Sequence, residues 1–318
     1  MNPTLTGLHH VTAMCSDPQA NINFYTGKLG LRLVKLTVNY DDPQTYHLYY
    51  GDTSGSPGSI ITFFAWPGAN RGRAGAGQPT VTAYSIPDSS IPYWQERLKL
   101  SQVEDRFGER VLTFEDPDGL KLELIGAKQL DARKPWDQSP VPAEHRLHGF
   151  HSVTLTENDF ASTAELLTET LGYQQTSEYQ QNGESGNRRR FAPSVLTPLD
   201  VPSFVDVVQE PGARPGTMGV GTVHHIALRT PDDAQHKSWH EIIRQRGLNV
   251  SQVIDRNYFH SIYFREPAGV LFEIATDAPG MTIDEPLEKL GGGLYLPPWL
   301  EPHRKELVAI LPPVKLPG

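Results

Sequence analysis

LHHVTAMCSDPQANINFYTGKLGL, residues 8–31, and VHHIALRTPDDAQHKSWHEIIRQRGL, residues 223–248, share one plan although they stand more than two hundred residues apart. Each opens on a His-His dipeptide inside a short strand-like run. Each carries an aspartate seven residues after the second histidine, at Asp17 and Asp232, and then turns to a helical pattern. Two further stretches follow the plan without the double histidine: TVTAYSIPDSSIPYWQERLKL at 80–100 and FHSVTLTENDFASTAELLTETLGY at 150–173. Their aspartates are Asp88 and Asp159. Four related openings in one chain predict an internally repeated module.

Each module can be read from its local chemistry. An aspartate before a helix caps it by accepting backbone N–H bonds, and Pro18 sits where a first-turn proline is tolerated. Apolar residues then recur at three-to-four spacing: Ile91, Trp94 and Leu98 in the second module, Trp239, Ile242 and Ile243 in the fourth. Gly30, Gly172 and Gly247 stand at the helix ends. Strand-like runs follow, 110–114 and 120–124 against 261–264 and 270–274. The matched turns EDPDG (115–119) and REPAG (265–269) join them.

The unit reads βαβββ, four times over. The expected class is α+β, with mixed sheets curled round a site. Two units per domain give domains at 7–128 and 148–277, joined through a linker that includes KPWDQSPVPAEHR. The repeat then stops, and residues 278–318 are expected to form an ordered arm whose Tyr295 and Trp299 are candidates to cover a cleft.

Bulk properties narrow the function. A chain of 318 residues with 38 % hydrophobic and 20 % charged residues has the composition of a globular protein. A net charge of −9 argues against nucleic acid as a partner. No apolar run suits a membrane, no signal peptide is visible, and the lone Cys15 precludes an internal disulfide. A soluble cytoplasmic protein is expected; the sequence is compatible with a homo-oligomer without fixing one.

Repeat arithmetic supplies a candidate metal site. Alignment on the aspartates puts His10, Val81, Ser152 and His225 at one position, and His9, His151 and His224 at the one before. Side chains alternate along a strand, so one histidine of each pair is expected to face the site and the other to face away. Alignment on the hairpin turns puts Glu123 and Glu273 together, with Thr62 near the same place and Asp206 in uncertain register. If the first and fourth modules pair, His10, His225 and Glu273 meet. The second and third modules offer only Val81, Ser152 and Glu123, a poor site, so Glu123 and His151 are expected to be structural. Two histidines and one carboxylate suit non-haem Fe(II), with positions left open. Mn(II) accepts the same set, and so does zinc.

Several stretches resemble the vicinal oxygen chelate superfamily of glyoxalases, bleomycin-resistance proteins and extradiol dioxygenases: GLHHVTAMCSD, TYHLYYGD with SPGSIITFF, GFHSVTL, TVHHIAL, DRNYFHSIYFREPAGVLFEIATD and LYLPPWLEPHR. Within it the chain looks most like ring-cleaving dioxygenases of the hydroquinone 1,2-dioxygenase kind. The resemblance implies two tandem glyoxalase-like domains, Fe(II) on His10, His225 and Glu273, and an aromatic diol and O2 as substrates. It further implies that Thr12, His224, Arg256 and Tyr263 line the pocket, with His9 or His224 moving protons. His260 is given no role. The rivals are a catechol extradiol dioxygenase or another metal enzyme on the same scaffold, and a metal-free sequestering protein of the bleomycin-resistance kind.

Overall fold

A computed structural model describes residues 3–180, 187–196 and 201–317. The first module supplies strands β1 (Leu8–Cys15), β2 (Arg32–Asn39), β3 (Asp42–Gly51) and β4 (Ile60–Ala65), with helix α1 (Pro18–Ile22) after β1. The second supplies β5 (Gln78–Pro87), β6 (Glu104–Arg106), β7 (Glu109–Glu115) and β8 (Lys121–Ala127), with α2 (Ile91–Leu98). The third supplies β9 (Phe150–Glu157), β10 (Tyr173–Gln180), β11 (Asn187–Pro193) and β12 (Phe204–Gln209), with α3 (Ala161–Glu165). The fourth supplies β13 (Val223–Thr230), β14 (Ile254–Asp255), β15 (Phe259–Arg265) and β16 (Leu271–Pro279), with α4 (Asp233–Gln245). Every module is βαβββ, as the repeat predicts.

The helices differ in how they start and in how far they run. Asp17 and Asp232 each accept backbone N–H bonds at their helix starts, as expected. Asp88 does not cap; its carboxylate takes the Arg110 guanidinium instead. In the first and third modules the α-helix is one short turn and then widens into a π-helical stretch, Asn23–Lys28 and Leu166–Thr170. Nothing in the apolar spacing signals that widening. Trp94 of α2 and Trp239 and Ile243 of α4 are buried against the sheets, so the predicted apolar stripes do face the core.

Two eight-stranded mixed sheets result. One runs β14-β15-β16-β13-β1-β4-β3-β2 and the other β10-β11-β12-β9-β5-β8-β7-β6. Each therefore takes four strands from either half of the chain: the first module joins the fourth, and the second joins the third. The joins are antiparallel, β1 against β13 and β5 against β9.

Each join carries two one-residue bulges. Opposite residues run Leu8–Leu228 and then His10–Ala227, which skips His9, and Thr12–His225 and then Ala13–Val223, which skips His224. The other join skips Thr80 and His151 at the matching places. A bulge sets two residues against one and re-aims side chains. Strict alternation therefore fails at the dipeptides. The expectation that His9 and His224 turn away from His10 and His225 is corrected: each bulged imidazole lies edge-on to its neighbour's, with ring centroids 5.1 and 5.0 Å apart.

Residues after β16 fold back as an arm on the first sheet. Lys35 of β2 is fully buried and pairs with Asp284 and Glu285 of the arm, and the Tyr295 ring packs on the Lys35 ammonium. No helix among the described residues is long and apolar enough to cross a membrane.

Candidate metal centre

The β1–β13 join brings the two ends of the chain together. His10 Nε2 lies 3.2 Å from His225 Nε2 and 3.2 Å from Glu273 Oε2, and His225 Nε2 lies 2.9 Å from the same oxygen. All three side chains are buried. Glu273 Oε2 makes no well-aligned hydrogen bond, its near neighbours being the His10 and His225 ring nitrogens, although its other oxygen accepts from Ser261. Leaving a buried carboxylate oxygen unpaired costs about 1–3 kcal/mol or more, so such an atom points to an absent partner. Cis ligands of an octahedral ion held at about 2.1 Å stand about 3 Å apart, which matches the three spacings. The donor set and its orphaned oxygen thus fit a divalent cation. Burial alone would raise the Glu273 pKa, but His10 and His225 hold it well below the ordinary carboxylate range. Burial lowers that of His225. An ionised carboxylate and neutral imidazole are the forms that bind metal.

The second histidine of each dipeptide is oriented by the first. His9 Nδ1 lies 2.9 Å from His10 Nδ1, and His224 Nδ1 lies 2.8 Å from His225 Nδ1. If Nε2 binds the ion, Nδ1–H of His10 must donate to His9. His9 is then protonated at Nε2, which lies 3.1 Å from the Thr276 carbonyl and donates to it. Burial first, and then His10, keeps His9 neutral. The same reasoning fixes His224, pushed down to about 3 by burial and by His225, as an acceptor at Nδ1. Its Nε2–H has no protein partner among the described residues, and His224 lines a cavity.

That cavity holds about 280 Å³ and is lined by His10 and His225 of the cluster. Thr12, Arg256 and Tyr263 line it, as the resemblance implies. Tyr263 stands opposite Glu273, and its oxygen accepts from Arg256 Nε at 3.1 Å. Arg256 also donates to Asp41 at 3.0 Å. His9 lies behind His10 and is not in the wall. His260 turns away to Asp233 at the start of α4.

Much of the wall was not anticipated. It includes Tyr40, His47, Tyr49, Phe64, Trp66 and Phe259. Tyr49 is opposite Thr62 as Tyr263 is opposite Glu273, so carrying the repeat one strand further would have found Tyr49 and, two residues away, His47. Trp299 of the arm packs edge-on against Tyr40, with centroids 5.5 Å apart, and so braces the cavity's rim.

A duplicated βαβββ fold with one buried His-His-Glu cluster defines the class. The chain belongs to the Glyoxalase/Bleomycin resistance protein/Dioxygenase superfamily, whose model matches residues 7–124 and 149–274. Within it the chain groups with ring-cleaving dioxygenases. It is 43 % identical over 305 residues to the "Putative ring-cleaving dioxygenase MhqO" of Bacillus subtilis, covering 95 % of this chain and 94 % of that one. It is 36 % identical over 316 residues to the "Chlorohydroquinone/hydroquinone 1,2-dioxygenase" of Sphingobium indicum, again covering 95 % and 94 %. A crystal structure described as a "putative dioxygenase" from Bacillus subtilis superposes with a TM-score of 0.90 at 41 % identity, over 100 % of both chains.

Proposed function

We propose that this protein is a non-haem Fe(II)-dependent dioxygenase that opens a hydroquinone-type aromatic diol with O2. The observation that carries the reading is the convergence of His10, His225 and Glu273, with its orphaned oxygen, beneath an aromatic-walled cavity. Three protein ligands on one side leave the cavity side open. A bound Fe(II) supplies the one-electron chemistry that lets O2 react with a closed-shell ring; Mn(II) would suit the same ligands. The name of the Sphingobium relative favours hydroquinones over catechols. On this reading residues 7–128 and 148–277 are two copies of one unit, and 278–318 an arm that buttresses the site. The setting is cytoplasmic.

The chain's own groups divide the remaining work. Phe64, Trp66 and Tyr40 offer flat apolar surface to the ring. Tyr263 already accepts from Arg256, so its own O–H is free to donate into the cavity. Arg256 stands behind it as fixed positive charge against a developing oxyanion. His224 presents its Nε2–H to the same space and exchanges a proton there with bound substrate. Thr12 offers a hydroxyl beside His10. The orphaned Glu273 oxygen argues against the metal-free sequestering alternative.

The test is metal content after anaerobic purification, together with O2 uptake on a panel of hydroquinones and catechols. The expected result is about one iron per chain and uptake preferring hydroquinones, with both lost in His10→Ala. A catechol preference would overturn the substrate. Full metal and uptake in His10→Ala would overturn the site.

A further inference from the structure

Thr12, Thr62, His47 and Tyr49 form an unbroken line of side-chain contacts across β1, β4 and β3. Thr12 Oγ1 lies 2.8 Å from Thr62 Oγ1, which lies 2.9 Å from His47 Nε2, and His47 Nδ1 lies 3.0 Å from the Tyr49 hydroxyl. Register explains the line: Thr12 and Tyr49 both stand opposite Thr62, and His47 is two residues from Tyr49 on the same face. Thr12, His47 and Tyr49 border the cavity, and Thr62 is fully buried between them.

Every member can donate and accept, so the line has two self-consistent polarities. In one, donation runs from Thr12 through Thr62 to Nε2, and from Nδ1–H to Tyr49. In the other, donation runs from Tyr49 to Nδ1, then from Nε2–H through Thr62 to Thr12, whose hydrogen turns to the cavity. Passing one proton along the line converts the first into the second.

We propose that this line is a proton relay that takes the proton of a ligand hydroxyl in the cavity, with His47 as its way-station. The inference rests on the aromatic-diol reading of that cavity. The ligand O–H bond breaks and its electron pair stays on oxygen as a phenolate. The proton goes to Thr12, Thr12's to Thr62, and Thr62's forms an N–H bond at His47 Nε2. His47 Nδ1–H then passes to Tyr49, which releases its own proton into the cavity. Nothing is oxidised. The reversed line turns the Thr12 hydroxyl toward the new oxyanion and stabilises it. Burial, and then His10 and His225, keep His47 neutral, so it can accept a proton without retaining it. The ionisable groups facing it are His10, His225, Arg256 and Glu273 from the other strands, and Tyr49 on its own.

Protein loaded with redox-inert Zn(II) and titrated with nitrohydroquinone tests this, because the probe's colour reports its ionisation when bound. His47→Gln and Thr62→Val cut the line at different points, and Thr62→Val nearly preserves shape. Each should raise the pH midpoint of the bound probe by about one unit, a tenfold change in its proton equilibrium. Tyr49→Phe should raise it less. Binding of the ionised probe at high pH should weaken by about the same tenfold, and binding of the neutral probe at low pH should be unchanged. Midpoints equal to the parent's in whichever of the two variants folds would overturn the relay alone, and so would weakened binding at an unmoved midpoint. A parent that binds no nitrohydroquinone would overturn the diol reading and the relay with it.

Discussion

The two sheets are built alike and solve the same position in opposite ways. In the first, His10, His225, Glu273 and Thr62 occupy the four repeat-equivalent places; in the second, Val81, Ser152, Glu123 and Asp206 do. Glu123 stands opposite Ala83 as Glu273 stands opposite Ala227, and Asp206 stands opposite Thr154 as Thr62 stands opposite Thr12, which settles the register of Asp206. The second sheet fills the space with arginine. Arg106 makes two 3.0 Å bonds to Glu123, and Arg190 grips Asp206 at 2.8 and 3.0 Å while Arg188 adds a third contact. Glu109 bridges Arg190 and His151.

Strand register makes Arg256 the repeat counterpart of Arg106, and Tyr263 the counterpart of Thr113. Arg106 reaches past the small Thr113 to its glutamate. Arg256 is held at the Tyr263 hydroxyl and Asp41, and Glu273 Oε2 faces the His10 and His225 imidazoles instead of a guanidinium. One tyrosine thus separates a self-satisfied ion pair from a site that needs a partner.

That contrast can be attacked directly. Glu123→Gln leaves the buried Arg106 guanidinium with Glu104 as its one carboxylate, so unfolding free energy should fall by about 1–3 kcal/mol with metal content unchanged. Denaturant melts beside metal analysis check this, and lost metal would show that the sheets are not separate in function. Tyr263→Thr copies the second sheet into the first. Arg256 should then compete for Glu273 and weaken metal affinity by roughly 10–100-fold, the range for a ligand's supporting partner. Competition with a chelator measures it, and unaltered affinity would deny the spacer role of Tyr263.

The smallest effect concerns Glu157 of β9, which occupies the place of Cys15 in β1. Burial, and then Glu266, push its carboxyl up from 4.5 to about 8. A raised folded-state pKa contributes stability that is complete below about pH 4.5 and is lost as pH rises through about 8. Stability should decline by about 1 kcal/mol per pH unit across that window, and the decline should flatten in Glu157→Gln. Parallel slopes in thermal or denaturant melts at stepped pH would contradict the assignment.

The sequence exposed the parts of this design that repeat. His10, His225 and Glu273 could be aligned because their surroundings recur, and the need for the first and last modules to meet followed from them. The bulges at His9 and His224 could not be read, since a bulge is a property of two paired backbones and alternation is a property of one. Nothing in the sequence marks Arg106, Arg188 and Arg190, because their partners lie across strands. His47 was overlooked because its significance comes from Thr62, which looked like a missing ligand and is a link in a line.

The pairing of first module with last has a consequence during synthesis. Strands β5 to β12 lie together between residues 78 and 209, so the second sheet can close as soon as that span has emerged. The first sheet must wait for β16, and until β13 emerges β1 presents an open edge to other nascent chains. A chain that stops short of Leu271 therefore holds every strand of the second sheet and lacks Glu273 of the candidate metal centre.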